Sequence, residues 1–205
     1  MTANSFIQPN IVELPPLRQQ QLHVLGDQAP HAVSLVGKNC LQEPGLVALI
    51  CSAKAPASIL LAVHDLAQQW RTSSQTILSG FHSTVEQEAL EILLRGPGQL
   101  VYCPARSLPR RLKPAWQAAL SAGYLTLISP FPESVRRATK ETAVTRNRFI
   151  AALADTILIA YAHPDSSTQQ LAYEAKAWSR SVYVLPNSAN HHLVCAGFPI
   201  WQNNP

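Results

Sequence analysis

Short apolar runs alternate with amphipathic segments along most of this chain, and this alternation constrains the fold more than any other feature. Leu46–Cys51 is a continuous apolar run between turn signals, which is typical of a strand buried on both faces. Apolar residues then recur at helical spacing from 59 to 70. Further strands are predicted at 32–37, 76–78, 100–103, 124–128, 156–161 and 182–185, and further helices at 85–95, 114–122, 145–154 and 168–178. This order forms βαβ units, so the sequence predicts an α/β fold: a three-layer, Rossmann-like, doubly wound and mainly parallel sheet.

The composition supports one sizeable core. The chain has 205 residues, of which 47% are hydrophobic and only 14% charged, which excludes a disordered protein. A polar lead carrying Pro9, Pro15 and Pro16 opens the chain. We expect residues 1–21 to form an N-terminal polar arm, either loosely ordered or packed at an edge, and residues 22–205 to form a single domain.

Positive charge is concentrated in the middle third of the chain, although the formal net charge is only +4. This pattern suits an anionic partner such as nucleic acid or a nucleotide, while a solvated basic surface is the alternative. The residues concerned are Arg95, Arg106, Arg110, Arg111, Lys113, Arg136, Arg137, Lys140, Arg146 and Arg148.

The cysteines give no metal-site pattern. Cys40, Cys51, Cys103 and Cys195 lie far apart and form no CxxC pair, so we expect no metal and no cofactor. Cys51 and Cys103 end strand-like runs, where a reduced cysteine packs as a small hydrophobe. With no secretory signal pattern and no apolar run near the ~18 residues that cross a bilayer, the sequence predicts a cytoplasmic protein without membrane contact.

The loops that follow the predicted strands are the expected ligand site, because ligands bind outside the carboxyl ends of the strands in such a sheet. These loops are rich in Ser, Gly and Lys or Arg, which suit an anion; they lie at 52–54, 79–83, 104–106, 163–168 and 186–188. Neither GxGxxG nor GxxxxGK[ST] occurs. The sequence therefore excludes an ordinary dinucleotide dehydrogenase and a P-loop hydrolase.

The segment before the strand at 156–161 is the first candidate phosphate site. The predicted helix start places Arg146, Asn147 and Arg148 where unpaired N–H groups and the helix dipole attract an anion. Alternatively, Asn147 caps the helix and the arginines are solvated, or Arg148 pairs with Glu86 or Asp155.

The turn after the strand at 76–78 is the second candidate, and we expect it to form the floor of the site. Gly80 can adopt positive φ there or let a ligand approach closely. Ser79 and Ser83 can cap the next helix or donate to phosphate. His82 can contact a phosphate or a base, or cap the helix. Glu86 either suits the helix dipole or binds a ribose or base.

With both segments in view, the chain resembles the DprA/Smf DNA-processing family, within the superfamily of Smf and LOG-type nucleotide-binding folds, over roughly 22–197. The family pattern is a strand ending in Gly-Ser-Arg, SG-x-A-[RK]-GID opening a helix, RNR-x-IA-x-L before a strand, a Ser-Gly turn, and a late Asn-x-Leu…Gly. The matching segments are 51–54, 79–86, 146–153, 166–169 and 190–197. Ala53 stands at the Gly-Ser-Arg arginine, with Lys54 next to it, and Ser83 and Glu86 stand at the basic and aspartate positions of the second motif.

The resemblance implies a protein that binds single-stranded DNA or a nucleotide in DNA processing or recombination. It also implies a homodimer and handover of the strand to a RecA-type recombinase. The expected ligand and phosphate-binding residues are Ser52, Lys54, Ser79, Gly80, His82, Ser83, Glu86, Arg106, Arg146, Asn147, Arg148, Ser166, Ser167 and Thr168.

Two alternatives stay open. One is a LOG-type enzyme that cleaves the N-glycosidic bond of a nucleoside monophosphate. That chemistry uses PGG-x-GT-x-x-E in the family, and Leu171 takes the place of its glutamate here. Leucine exchanges no proton, so the sequence favours a protein without catalytic residues. The other alternative is a domain that senses a nucleotide without turnover.

Overall fold

Eight strands form one sheet in the order β1-β2-β6-β5-β4-β3-β7-β8 in the computed structural model, which describes residues 7–202. Strands β3 to β8 run parallel, whereas β2 is antiparallel to β6 and β1 is antiparallel to β2. The strands are β1 (Asn10–Glu13), β2 (Ala32–Val36), β3 (Leu46–Cys51), β4 (Thr76–Ser79), β5 (Leu100–Tyr102), β6 (Leu125–Ser129), β7 (Thr156–Tyr161) and β8 (Ser181–Val184). The predicted mainly parallel α/β sheet is confirmed.

Helices cover both faces of the sheet and complete the three layers. Helices α2, α3 and α4 pack on one face, and α1, α5, α6 and α7 pack on the other. The helices are α1 (Pro16–Leu22), α2 (Ala57–Trp70), α3 (Thr84–Leu93), α4 (Pro114–Ser121), α5 (Lys140–Leu153), α6 (Ser167–Ala177) and α7 (His191–Cys195). Within residues 7–202, none of the helices is long and apolar enough to cross a membrane.

The central strand β3 marks the point where the strand order reverses. Its six residues are all buried, and it lies between β4 and β7. From β3 the chain builds β4, β5 and β6 on one side and returns to add β7 and β8 on the other. Such a reversal opens a crevice at the carboxyl ends of the strands, an edge that we call the carboxyl edge.

Helix α5 begins earlier than the sequence predicts, and this changes the position of two arginines. Thr139 caps the helix, its hydroxyl accepting a hydrogen bond from Thr142 N–H at 3.2 Å. The prediction that Arg146 and Arg148 stand at a helix start is therefore wrong, because both lie in its middle. The first two turns are polar and exposed, so they lack the apolar periodicity from which a helix is predicted.

The N-terminal segment is packed against the domain. β1 is the edge strand of the sheet, and α1 packs on α5. Of the two alternatives for the polar lead, residues 10–22 thus form the packed one. The division at residue 21 between arm and domain stays a prediction.

A buried arginine fastens α1 to the core. Arg18 is fully buried and forms an ion pair with Asp155 at 2.6 Å. Its guanidinium also donates to the carbonyl oxygens of Leu41 at 2.9 Å and Leu153 at 3.1 Å. Burial works to raise the pKa of Asp155, but hydrogen bonds from Arg18, from Leu46 N–H and from Gln21 outweigh it and hold that pKa below its ordinary value.

We predict that Asp155→Asn lowers the free energy of unfolding by about 3 kcal/mol at neutral pH, because it leaves the Arg18 charge buried and unpaired. The lowered folded-state pKa makes the contribution of Asp155 fully present above the unfolded value near 3.8 and lost as pH falls through the folded value. Denaturant unfolding at several pH values should show the two proteins converging in acid.

Glu43→Gln is the matched control, because the Lys38–Glu43 ion pair is about half exposed on both sides and contributes little. A loss for Asp155→Asn no larger than that of the control, or one that grows in acid, would contradict the role assigned to Arg18.

Candidate nucleic-acid interface

The loops after β3 and β7 meet at the crevice of the carboxyl edge. Ser52 N–H donates to the Tyr161 carbonyl at 2.8 Å, and Ser52 Oγ accepts from His163 N–H at 3.0 Å. The hydroxyls of Ser52 and Ser166 are 3.4 Å apart. Ser166 also caps α6, accepting from Gln169 N–H at 3.2 Å. Two small hydroxyl side chains thus line the point where the strand order reverses.

The turn after β4 carries its backbone strain at Phe81 rather than at Gly80. Phe81 has a φ of 46°, in the left-handed region, and its N–H donates to Ser79 Oγ at 3.1 Å. Its ring stacks on Tyr102 with centroids 6.4 Å apart. Of the two alternatives for Gly80, positive φ is therefore not the one that the structure shows. Glycine is needed at residue 80 because the Arg146 side chain approaches it closely.

Glu86 and Ser83 form the capping box that starts α3. The Glu86 carboxylate accepts the N–H groups of Cys51 at 3.0 Å, His82 at 2.8 Å and Ser83 at 2.9 Å. In return, Ser83 Oγ accepts from Glu86 N–H at 3.2 Å. Both side chains are buried. The Glu86 carboxylate thus joins the end of β3 to the turn after β4, while its contact with a ribose or base stays a prediction.

Arg146 reaches from α5 across the ends of β4 and β5. Its Nη1 donates to the Cys103 carbonyl at 3.1 Å. A Cβ added at Gly80 would lie only 1.0 Å from this same nitrogen, so the guanidinium occupies the space that a side chain at residue 80 would fill. The close approach permitted by Gly80 is thus made by a protein side chain.

The charge of Arg146 is buried without a balancing carboxylate. The residue is only 3% exposed, and its Nε has no hydrogen-bond partner. Among residues 7–202, no carboxylate oxygen lies within 4.0 Å of its guanidinium. A buried and unpaired charge is expensive, so this position is suited to an anion that arrives from outside.

Arg148 points away from Arg146. Its Nε donates to Glu174 at 3.0 Å, its Nη1 donates to Gln28 at 2.9 Å, and its guanidinium lies 5.6 Å from the Trp178 ring centroid. Two residues apart on a helix are about 200° apart around its axis, so only one of the two can face the carboxyl edge. The structure therefore does not bring Arg148 to the site. Asn147, which lies between Arg146 and Arg148 in α5, is half-buried.

The other expected site residues lie along the carboxyl edge. Lys54, His82 and Arg106 are exposed in the loops after β3, β4 and β5. Ser167 is exposed and Thr168 is buried in the first turn of α6. These loops follow strands in the order of the sheet, so their polar groups form a series rather than one cluster.

The electrostatics of the edge are positive around Tyr102 and Cys103. Burial raises the pKa of the Tyr102 hydroxyl, while Arg106 and Arg146 oppose that rise. Burial raises the pKa of the Cys103 thiol to about 12, with Arg146 opposing, and that of the Cys51 thiol to about 12, with the Glu86 charge adding to the rise. Both thiols are therefore protonated at neutral pH and are not nucleophiles.

Leu171 is 4% exposed and belongs to the core beneath α6. Within the described residues, no group of three or more His, Cys, Asp or Glu side chains could hold a metal ion. Two further cations, Arg110 and Arg136, lie beside Arg106 at one cleft; their only sequence signal is the basic middle third.

The fold and this edge define a class: a Rossmann-like α/β protein with polar and basic residues along the carboxyl edge of its sheet. The family model described as DNA recombination-mediator protein A matches residues 13–198, and the chain belongs to that family. The resemblance to DprA/Smf proteins is thereby confirmed.

Solved structures share the fold. DNA processing protein A from Helicobacter pylori, whose single-stranded DNA binding mode has been described, is 21% identical with a TM-score of 0.77, over 97% of this chain and 92% of that one. DNA processing protein A from Streptococcus pneumoniae is 20% identical with a TM-score of 0.77, over 96% and 72%. The molybdenum cofactor binding protein from Rippkaea orientalis is 12% identical with a TM-score of 0.56, over 78% and 90%. No curated protein sequence matches the chain.

We predict that Glu86→Ala lowers the free energy of unfolding by about 2–3 kcal/mol, because three N–H groups, two of them on buried residues, lose their acceptor. Glu88→Ala, two residues along on a side chain that is 39% exposed, should cost far less. Thermal and denaturant unfolding measure both. A Glu86→Ala protein with unchanged stability but weakened ligand binding would show that Glu86 is a ligand group instead.

Proposed function

We propose that this protein binds single-stranded DNA along the carboxyl edge of its sheet and acts in DNA processing or recombination. The observation that carries the proposal is Arg146, a buried cation that faces the ends of β4 and β5 and has no carboxylate partner among residues 7–202. Membership of the recombination-mediator family supports it. So does the similarity to the H. pylori protein, whose single-stranded DNA binding mode has been described.

Phosphate is the anion that suits this position. A guanidinium presents five donors in a planar fork that matches phosphate oxygens. Within residues 7–202, only one donor of Arg146 forms a hydrogen bond to the protein. Within a partly dry site, a charge-assisted hydrogen bond is stronger than at an exposed surface. The low exposure of Arg146 thus makes it a selective phosphate-binding residue rather than one that attracts anions in general.

A strand fits better than a single nucleotide because positive and polar groups continue along the edge. Lys54 and His82 extend from the loops on one side of the Arg146 position, and Arg106 extends from the loop on the other. Successive phosphates of one strand would meet successive loops. Electrostatic tracking of a backbone in this way is how proteins hold single strands with little sequence preference.

A single strand also fits better than a duplex because Arg146 is recessed. A flexible strand can bend a phosphate toward a guanidinium that is 3% exposed. A duplex has a persistence length of about 50 nm and must be deformed to do the same. The proposed preference for a single strand over a duplex therefore follows from the recessed position of Arg146 as well as from its charge.

The finer assignments are part of the proposal. We infer a cytoplasmic homodimer that hands its strand to a RecA-type recombinase. The support is the resemblance to DprA/Smf proteins and the description of the family as a recombination mediator.

We predict that Arg146→Ala weakens single-stranded DNA binding at least tenfold, because a charge-assisted contact of about 1.5–3 kcal/mol is lost. The slope of log K against log salt should fall in magnitude by about 0.7, which is one phosphate contact. Arg148→Ala removes the same charge from the same helix and should leave the slope unchanged. Anisotropy titrations at several salt concentrations measure both.

A second variant, Gly80→Ala, keeps the charge of Arg146 but displaces its guanidinium. Gly80→Ala places a Cβ where the guanidinium lies, so it should weaken binding as Arg146→Ala does. Unchanged affinity and slope in folded Arg146→Ala protein, or equal losses for Arg146→Ala and Arg148→Ala, would reject Arg146 as the phosphate ligand.

A further inference from the structure

A second cationic site lies beyond the end of β5, separate from Arg146. It is a cleft of about 680 Å³, bounded by the loop after β5, the segment after β6 and the chain just before β1. Three arginines line it: Arg106, Arg110 and Arg136. We call it the arginine cleft.

The charges of the arginine cleft are only weakly neutralised. Its one acidic lining residue is Glu133, 3.9 Å from the Arg110 guanidinium, with side chains that are 80% and 73% exposed. An exposed pair at this distance is screened by solvent and is readily replaced. Arg106 donates to the carbonyl oxygen of Arg136 at 3.5 Å, a weak contact. The cleft therefore has a net positive charge that an anion can use.

Part of the lining of the cleft is apolar, and we refer to this part as the apolar wall. Ile7, Pro9, Leu108 and Pro109 line it, and Leu108 is 8% exposed and belongs to the core. Ile7 is held in place by its N–H, which donates to the Arg110 carbonyl at 3.2 Å. Arginines beside an apolar wall suit a ligand that is anionic on one side and flat and apolar on the other, as an unpaired nucleotide is.

We propose that the arginine cleft binds a second stretch of the same DNA strand, with its arginines on phosphates and its apolar wall against an unstacked base. This rests on the single-strand binding proposed above and extends it from one phosphate position to a path across the protein.

The two positions are close enough for one strand. Arg146 donates to the Cys103 carbonyl, and Arg106 is three residues further along the same loop. Three residues span at most about 11 Å. Ser129 Oγ donates to the Arg106 carbonyl at 2.8 Å, which fixes this loop to the end of β6. The strand would thus pass from β4 over β5 to β6 along the carboxyl edge.

The test uses oligothymidylates of increasing length, from about 4 to about 24 nucleotides, a range that brackets common single-strand site sizes. We expect wild-type affinity to rise with length as the strand reaches the cleft. Arg110→Gln with Arg136→Gln should match wild type on the shortest strands and bind the longest at least tenfold more weakly. Its salt slope on long strands should fall in magnitude by about 1.4, for two phosphate contacts of about 0.7 each.

Arg71→Gln with Arg95→Gln is the matched control. It removes the same charge at the amino edge, where α2 and α3 end, and should follow wild type at every length. Three results would contradict the proposed role of the arginine cleft. The affinity of the Arg110/Arg136 variant could equal that of wild type at every length, decrease equally for short and long strands, or decrease no more than the affinity of the control. Failure of wild type to bind even the longest strands would instead reject the proposed function itself.

Discussion

The guanidinium of Arg146 lies in the space left by the missing side chain of Gly80, and the candidate site depends on this contact. The contact places a full positive charge, 3% exposed, against the ends of two parallel strands. One carbonyl, that of Cys103, receives a hydrogen bond from it. Within the described residues, no carboxylate oxygen lies within 4.0 Å of this guanidinium, and the proposed phosphate contact would supply the missing negative charge.

The surrounding structure holds this arrangement in place from several directions. Helix α5 carries Arg146 from one face of the sheet, while the turn bearing Gly80 leads into α3 on the other. The Glu86 carboxylate fixes that turn to the end of β3 through three N–H groups. At the C-terminal end of α5, Arg18 donates to the Leu153 carbonyl and pairs with Asp155. The site is thus built by tertiary contacts between elements far apart in sequence.

Those contacts explain what sequence could and could not predict. Strands β3 and β7 are short, mainly apolar runs, so their existence and bounds are predicted from the length and composition of these runs. The predicted start of α5 is wrong because the first turns of this helix are polar and exposed, and therefore lack the apolar pattern from which a helix is predicted. The pairing of Arg18 with Asp155 spans 137 residues, and nothing local in the sequence indicates it. Arg146 and Arg148 are equivalent candidates in the sequence, and only the true extent of the helix shows that they face opposite ways.

The most direct test of the account is the unfolding free energy of Arg146→Met, measured with and without a saturating single strand. Methionine keeps an unbranched apolar side chain as far as the position of the Arg146 Nε and carries no charge. The account predicts that the free variant is within about 1 kcal/mol of wild type or more stable, because a buried unpaired charge has been removed. Wild type should gain about 2.7 kcal/mol at a strand concentration one hundred times Kd, and the variant should gain much less at that same concentration. A variant that is several kcal/mol less stable when free, yet gains as much from the strand as wild type, would contradict the claim that Arg146 awaits an anion.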